Sequence, residues 1–286
     1  MNNIKSTLFF ILLLSTFTFV ACDPSRDNPI IANEKPSGSE KAIPVYNQAY
    51  QENYEEDKID DIIQYAKKAY VLIDPFQDNI PASINAIKAA GNEVGAYISI
   101  GTGEDWRDDF AEMQPYLVSK QWGQWAGEYF VDETTTGILS IMKARIDKIA
   151  DWGCDWVEFD NMDWVDDDDL RSEYGFHVTK AEGIAYYQAL CEYVHAKGMK
   201  CMAKNTVDGA NDFDGVLYES YPDDKNWWDV AGAKSFLNAG KLTIINHYNE
   251  SDCDQVYRDY MAIYGPDLSY ICEDKASKRY RHYNEE

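Results

Sequence analysis

Histidine is scarce in this chain: there are 4 in 286 residues, and no H-E-x-x-H pair occurs. That argues against a zinc hydrolase of the helical two-histidine type. None of the 6 cysteines has the C-x-x-C spacing of a zinc site. There is no G-x-S-x-G elbow to present a nucleophilic serine. No G-x-G-x-x-G or Walker glycine pattern follows a strand-like run, so nothing points to a cradled nucleotide or an open dinucleotide-binding sheet. No cofactor and no metal is therefore expected. Basic residues are few, 26 against 50 acidic ones, for a net charge of −24. Neutralising phosphates needs a basic surface, so a nucleic-acid partner is not expected. The same acidic field would attract a cationic ligand, although acids also serve solubility alone.

Long apolar runs are limited to the first residues. Lys5 gives a small positive start, and residues 8–20 are mostly apolar. The run is too short and too early for a membrane span and reads as a signal peptide over 1–21. It ends in Phe19-Val20-Ala21-Cys22, which resembles a bacterial lipobox with Cys22 as the lipidated residue, though Phe19 stands where an aliphatic residue is usual. Residues 22–41, rich in Pro, Ser, Asn and charge, read as a tether. The expected location is a bacterial cell envelope or the extracellular space, with contact to membrane only through the lipid. A globular domain is expected over 42–286.

What the chain does have is a repeated unit. Ile138, Ile141, Met142, Ile146 and Ile149 recur at helical spacing, and Gly153 closes the run as a C′ glycine. A short apolar strand follows, Trp156, Val157 and Phe159, interrupted by Glu158 and ending in Asp160-Asn161, with Asp163 beyond. The pattern returns elsewhere. Residues 70–73 end in Asp74, and 94–100 run into a Gly101–Asp105 turn and Trp106. Residues 200–203 end in Lys204-Asn205, 215–218 in Glu219, 242–246 in His247-Tyr248 and 268–272 in Glu273. Amphipathic helices lie between most of them, one opening on a Thr179/Glu182 capping box and one with Pro81 in its first turn. With a weak first strand at 43–46 this makes eight strands, which predicts a single-domain α/β fold, a closed (β/α)8 TIM barrel. An insertion at 107–132, carrying Trp122 and Trp125, reads as a loop over the site.

Chemistry in such barrels sits at the C-terminal ends of the strands. All the strand-end side chains above would then share one cleft. Each alone could be a helix cap or the start of a solvated loop. Two carboxylates from different strands are what glycosidic bond cleavage needs: one protonates the leaving oxygen, and the other attacks the anomeric carbon or activates water. Aromatic content of 14%, with 21 Tyr and 8 Trp, suits a sugar cleft and equally suits core filling.

At these residues the sequence is similar to a known family. G-C-D-W-V-E-F-D-N-M-D (153–163) resembles the G-x-D-G-V-E-x-D-N-x-D signature of glycoside hydrolase family 114, the endo-α-1,4-polygalactosaminidases, with Trp156 in place of a glycine. Y-I-S-I-G-T-G-E-D-W-R (97–107), G-E-Y-F-V-D (127–132) and Ala203-Lys204-Asn205 resemble further motifs of that family. The likeness covers roughly 70–250, and His247-Tyr248-Asn249 stands where E-Y-N is common. It implies a (β/α)8 barrel and retaining hydrolysis of α-linked galactosamine polymers. It maps Asp160 and Glu219 to the two catalytic carboxylates. Asp74, Asn161, Asp163, Lys204, Asn205 and Tyr248 are expected to line the sugar site, with Asp105 and Trp106 on its rim. The partner is then a polysaccharide, cationic if deacetylated. A glycan-binding surface lipoprotein without turnover is the rival from another class.

Two features stand apart. Asp166 to Asp169 lack the D-x-D-x-D-G spacing of a calcium loop and read as a solvated or substrate-facing acidic loop. Cys154, Cys191 and Cys201 read as small buried apolar groups, and a Cys253–Cys272 bridge is conceivable in an oxidising compartment.

Overall fold

In chain order the elements are β1 (Val45–Asn47), α1 (Ile59–Tyr65), β2 (Tyr70–Ile73), α2 (Ile80–Lys88), β3 (Glu93–Ser99), β4 (Thr102–Glu104), α3 (Phe110–Met113) and β5 (Glu128–Phe130). Then come α4 (Thr136–Trp152), β6 (Trp156–Asp160), α5 (Asp168–Tyr174), α6 (Lys180–Ala196), β7 (Lys200–Lys204), β8 (Gly215–Ser220), α7 (Val230–Asn238), β9 (Leu242–Glu250), α8 (Cys253–Tyr264), β10 (Ser269–Asp274) and β11 (Tyr280–His282). This is a computed structural model, and it describes residues 42–50, 59–77, 79–222 and 230–285. The expected signal peptide, Cys22 and the tether lie outside those residues.

The strands β1, β2, β3, β6, β7, β8, β9 and β10 pair in parallel, in that order, and β11 joins β10 antiparallel. The two ends of the sheet are stitched by side chains. Ile43 N donates to Ser269 Oγ at 3.0 Å, and His282 Nδ1 lies 2.8 Å from the Val45 carbonyl oxygen. The Tyr46 ring stacks on His282 at 3.9 Å. The result is the expected eight-stranded barrel, nearly closed, with helices outside.

Period-two alternation sorts each strand into a barrel face and a helix face. On β6, Trp156 joins Tyr70, Leu72, Met202, Leu217 and Ile271 in the cluster that fills the barrel. Val157 and Phe159 join Ile146, Ile149 and Tyr187 in the larger cluster between sheet and helices. The barrel is narrow enough that size must alternate with smallness. A Cβ at Gly95 would lie 2.2 Å from the Tyr70 hydroxyl, so only glycine leaves room for that ring. Along α4 the buried face is Ile138, Met142, Ile146 and Ile149, and Gly153 ends the helix at φ 86°, a conformation glycine adopts without strain. The Thr179/Glu182 capping box opens α6.

The structure corrects the sequence reading in three places. Residues 107–132 are not a bare loop: they hold α3 and then β5, which returns to pair with β4 just before the insertion. The strand at β10 is not the last, because the chain folds back as β11 onto its edge. Cys191 and Cys201 are not free apolar thiols but a disulfide tying α6 to β7. Cys253 and Cys272 are bonded as the spacing allowed, tying α8 to β10. Among the described residues no helix is long and apolar enough to cross a membrane.

The 191–201 bond closes a short loop, and a loop of that length restricts the unfolded chain by about 3 kcal/mol. Replacing both cysteines by serine is expected to lower the melting temperature by roughly 6–12 °C for a domain of this size. Calorimetry of the double variant under non-reducing conditions checks this; an unchanged midpoint would show the bond to be structurally idle.

Candidate active site

Three strands place charged side chains at one end of the barrel. β6 brings Glu158 and Asp160, both on the inward face with Trp156; β7 brings Lys204, and β8 brings Glu219. Lys204 is 1% exposed, and its ammonium is shared by all three acids. Nζ lies 3.2 Å from Asp160 Oδ1, 3.5 Å from Glu219 Oε2 and 3.8 Å from Glu158 Oε1. Two oxygens at 3.2 and 3.5 Å from one nitrogen are at most the sum of those distances apart, 6.7 Å. The side chains of Asp160 and Glu219 are 13% and 23% exposed, so both open to the mouth, whereas Glu158 is closed off at 0%.

At three places around the mouth the backbone turns left-handed for a local reason. Asn161, Asn205 and Asn249 have φ of 64°, 59° and 55°, the left-handed region that asparagine tolerates best among side-chain-bearing residues. Each directly follows a residue at the mouth: Asp160, Lys204 and Tyr248. The turn at Asn161 meets β3 closely, and a Cβ at Gly101 would lie 1.6 Å from the Asn161 carbonyl oxygen. The amides of Ile100 and Gly101 both donate to the Asp160 carbonyl at 3.2 Å.

Glu219 is oriented from both sides. Tyr248 Oη donates to Oε1 at 2.9 Å, and Asn205 Nδ2 donates to Oε2 at 3.2 Å. Asn205 Oδ1 in turn accepts the Glu219 amide at 3.0 Å. Tyr221 stacks on Tyr248 at 5.0 Å. Asp160 accepts the Asn161 amide at 2.8 Å.

The remaining expected residues divide. Asp163 lies beside Asp160, facing a cavity of about 630 Å³ lined by Asp163, the four acids Asp166 to Asp169, Asn205 and Thr206. Asp105 and Trp106 are exposed at the end of the β4–β5 hairpin, Trp106 at 55%. Asp74 and Asn161 are engaged inside the protein. Arg107 clamps Asp74 at 2.9 Å and Glu104 at 2.8 Å. Asn161 Nδ2 donates to Ser99 Oγ at 2.9 Å, to Thr102 Oγ1 at 3.1 Å and to Glu128 Oε2 at 3.1 Å. His247, placed in the cleft by its strand-end position, points instead to the helix face, fully buried, 3.1 Å from Glu250. Glu273 is buried and paired with Lys278 at 3.1 Å. In the acid run Asp167 caps α5 through the Leu170 amide, and Asp166 pairs with Lys180 at 3.0 Å. Cys191 and Cys201 lie within reach of His195, but their sulfurs are bonded to each other. Cys154 is buried, and burial pushes its thiol up to about 12, which leaves it no thiolate to attack with.

Burial sets the protonation of this cluster. It raises Lys204's charge cost, yet the carboxylates of Asp160, Glu219 and Glu158 win, and the ammonium is held well above its usual range. Burial pushes Asp160 up from the usual carboxylate range, with the Lys204 ammonium opposing it. Glu158 is pushed up to about 8, chiefly by burial, and its Oε2 has no hydrogen-bond partner among the described residues. Asp163 and Glu128 are each raised to about 7, again chiefly by burial. Glu158 was the residue that sequence reasoning passed over. Its signal was present, since it shares the period-two face of Asp160.

A stability test follows from Glu158. Its folded pKa of about 8 lies above the ordinary 4.5, so the fold loses stability as pH rises from 4.5 to 8 and no further above that. The unfolded chain ionises the group freely over that window and the folded one does not. Glu158→Gln is expected to leave the melting temperature unchanged near pH 4 and to raise it by several degrees at pH 8. A pH-independent difference between variant and wild type in thermal melts would contradict this assignment.

A parallel barrel that brings two accessible carboxylates from different strands onto one ammonium, beside an open polar cavity, is built like a glycoside hydrolase. Residues 35–285 match the profile of glycoside-hydrolase family GH114, and the chain belongs to that family. No curated protein matches the sequence. Among solved structures, Ega3 of Aspergillus fumigatus in complex with galactosamine is similar: 20% identity, 88% of this chain and 98% of that one covered, TM-score 0.65. The glycoside hydrolase domain of PelA from Pseudomonas aeruginosa is similar at 12% identity, 85% and 97% coverage and TM-score 0.61. At such identities the likeness is one of fold.

Proposed function

We propose that this enzyme cleaves α-linked galactosamine-containing polysaccharide with retention of configuration, using Asp160 as nucleophile and Glu219 as acid and base. The observation that carries the mechanism is the shared ammonium. It brings an oxygen of each acid within 6.7 Å of the other, which accommodates the separation of about 5–5.5 Å that retention uses. In the first half, Asp160 forms a bond to the anomeric carbon while the glycosidic bond breaks and Glu219 gives its proton to the leaving oxygen. In the second half, Glu219 takes a proton from water, the water oxygen bonds the anomeric carbon, and Asp160 is released.

Lys204 holds negative charge on Asp160 against burial, and Tyr248 with Asn205 aims Glu219. Asp163 and the acid-lined cavity suit a cationic sugar: an ammonium there would draw the Asp163 proton off. Trp106 on the rim offers a flat apolar face to a sugar ring. Asp74 and Asn161 act behind the site, by fixing Arg107 and the β3–β6 junction. Residues 1–21 act as a signal peptide and Cys22 as the lipid anchor, which puts the enzyme on a bacterial cell envelope.

The test uses purified enzyme with deacetylated and acetylated galactosamine polymers, sizing the products and following the first anomer by NMR. Short products of α configuration are expected. Raising salt to about 0.15 M, where charges screen within about 8 Å, is expected to lower kcat/KM on the cationic polymer and to spare the acetylated one. Binding without cleavage would leave a glycan-binding protein in its place.

A further inference from the structure

Lys204 could serve three carboxylates, and only two of them open to the mouth. What stops the ammonium settling toward the buried third? Tyr50 lies three residues past the end of β1 and is turned into the barrel mouth by a local knot. The Ala49 amide donates to Asn47 Oδ1 at 3.0 Å, and the Gln48 amide donates to the Leu72 carbonyl at 2.9 Å. Its ring centroid sits 4.0 Å from Lys204 Nζ. Its hydroxyl donates to Glu158 Oε1, the oxygen that also faces Lys204. Tyr97 of β3 holds the ring edge-on at 5.7 Å. Tyr50 therefore does two things to one cation. The ring face stabilises the charge, and the hydroxyl occupies the Glu158 oxygen that faces it.

We propose that Tyr50 is a positioning residue of the glycosidase reaction: it directs the Lys204 ammonium onto Asp160 and Glu219 by capping it with its ring and engaging Glu158 with its hydroxyl. This rests on the reading that Asp160 and Glu219 carry the chemistry. Tyr50 acts on them through Lys204 and Glu158. The family signature does not contain it, and it sits outside the helix-strand repeat that organises the rest of the chain.

Two variants separate the two parts. Tyr50→Phe keeps the ring and removes the hydroxyl; Tyr50→Ala removes both. On the galactosamine polymer, Tyr50→Ala is expected to lower kcat about tenfold with KM within about twofold, the size that a desolvated cation–π contact supports. Tyr50→Phe is expected to recover most of that loss. A substrate-free readout runs beside the kinetics: the Lys204 ammonium resonance in a lysine-labelled NMR spectrum, identified by its loss in Lys204→Met. It should be protected from exchange in wild type and in Tyr50→Phe, and lost to exchange in Tyr50→Ala. An unchanged ammonium signal in a folded Tyr50→Ala overturns the proposal, as does a loss of kcat that only follows the unfolded fraction measured by circular dichroism. If wild type cleaves no galactosamine polymer, the substrate reading fails, and the ammonium signal still decides the role of Tyr50.

Discussion

Asp160→Asn should bind polymer and not cut it. Removal of a nucleophile that acts in concert with its partner lowers kcat by about 10⁴- to 10⁶-fold, as groups acting as one unit do. The amide keeps the size of the side chain and still accepts the Asn161 amide at 2.8 Å, so the fold and the cleft should survive. Affinity for a cationic polymer should fall only by what one of several acids contributes. The same site distinguishes retention from inversion by rescue. With Asp160→Gly, azide can enter the space left by the carboxylate and attack the anomeric carbon directly. The product would be a glycosyl azide of inverted configuration. With Glu219→Ala, the covalent intermediate still forms on activated substrates, and azide then gives a product of retained configuration. An Asp160→Asn enzyme with full activity would remove Asp160 from the mechanism.

Lys204→Met should be the most costly single change for stability and activity together. Breaking a buried charge cluster by removing one partner costs about 3–5 kcal/mol, because the remaining charges stay buried and uncompensated. The sequence reading placed Lys204 at a strand end, lining the sugar site. Its 1% exposure adds a folding cost that depends on pH. Without the ammonium, burial is unopposed at Asp160 and Glu158. Their folded pKa values rise further above those of the unfolded chain, so the variant is expected to be most stable at acidic pH and to lose stability as pH rises. Its activity should peak at higher pH than wild type, since Asp160 would ionise later. Urea melts at pH 5 and pH 8, read beside pH–rate profiles, check both halves. A variant equally stable at the two pH values would show that Lys204 does not neutralise the cluster.

The comparison of wild type on deacetylated and acetylated polymers bears on a different link, from surface charge to association. Asp163 and Asp166 to Asp169 line the same cavity, and Asp163 titrates near pH 7. Salt acts on this long-range attraction, whereas the changes at Asp160 and Lys204 act on the chemical step. The two kinds of effect should therefore separate into kcat/KM and kcat.

Several features of this protein were written locally in the chain. The inward set Trp156, Glu158, Asp160 and the outward set Val157, Phe159 follow from the period-two geometry of a strand and need no partner to be read. The Thr179/Glu182 box and Gly153 fix helix ends through bonds and dihedrals within a few residues. Strand-end asparagines mark the turns of the mouth for the same reason, because left-handed backbone is a property of the residue type. Tertiary structure decided the rest. Arg107 reaches Asp74 from 33 positions away, and Asn161 reaches Ser99 from 62. Cys191 finds Cys201 rather than Cys154, and β11 folds back onto the edge of β10. One ammonium comes to serve acids on two other strands. Such contacts depend on the barrel's stagger and radius, which arise only when eight strands close against one another. No local propensity encodes them, so the sequence located the carboxylates, and closure of the barrel determined which cation they would share.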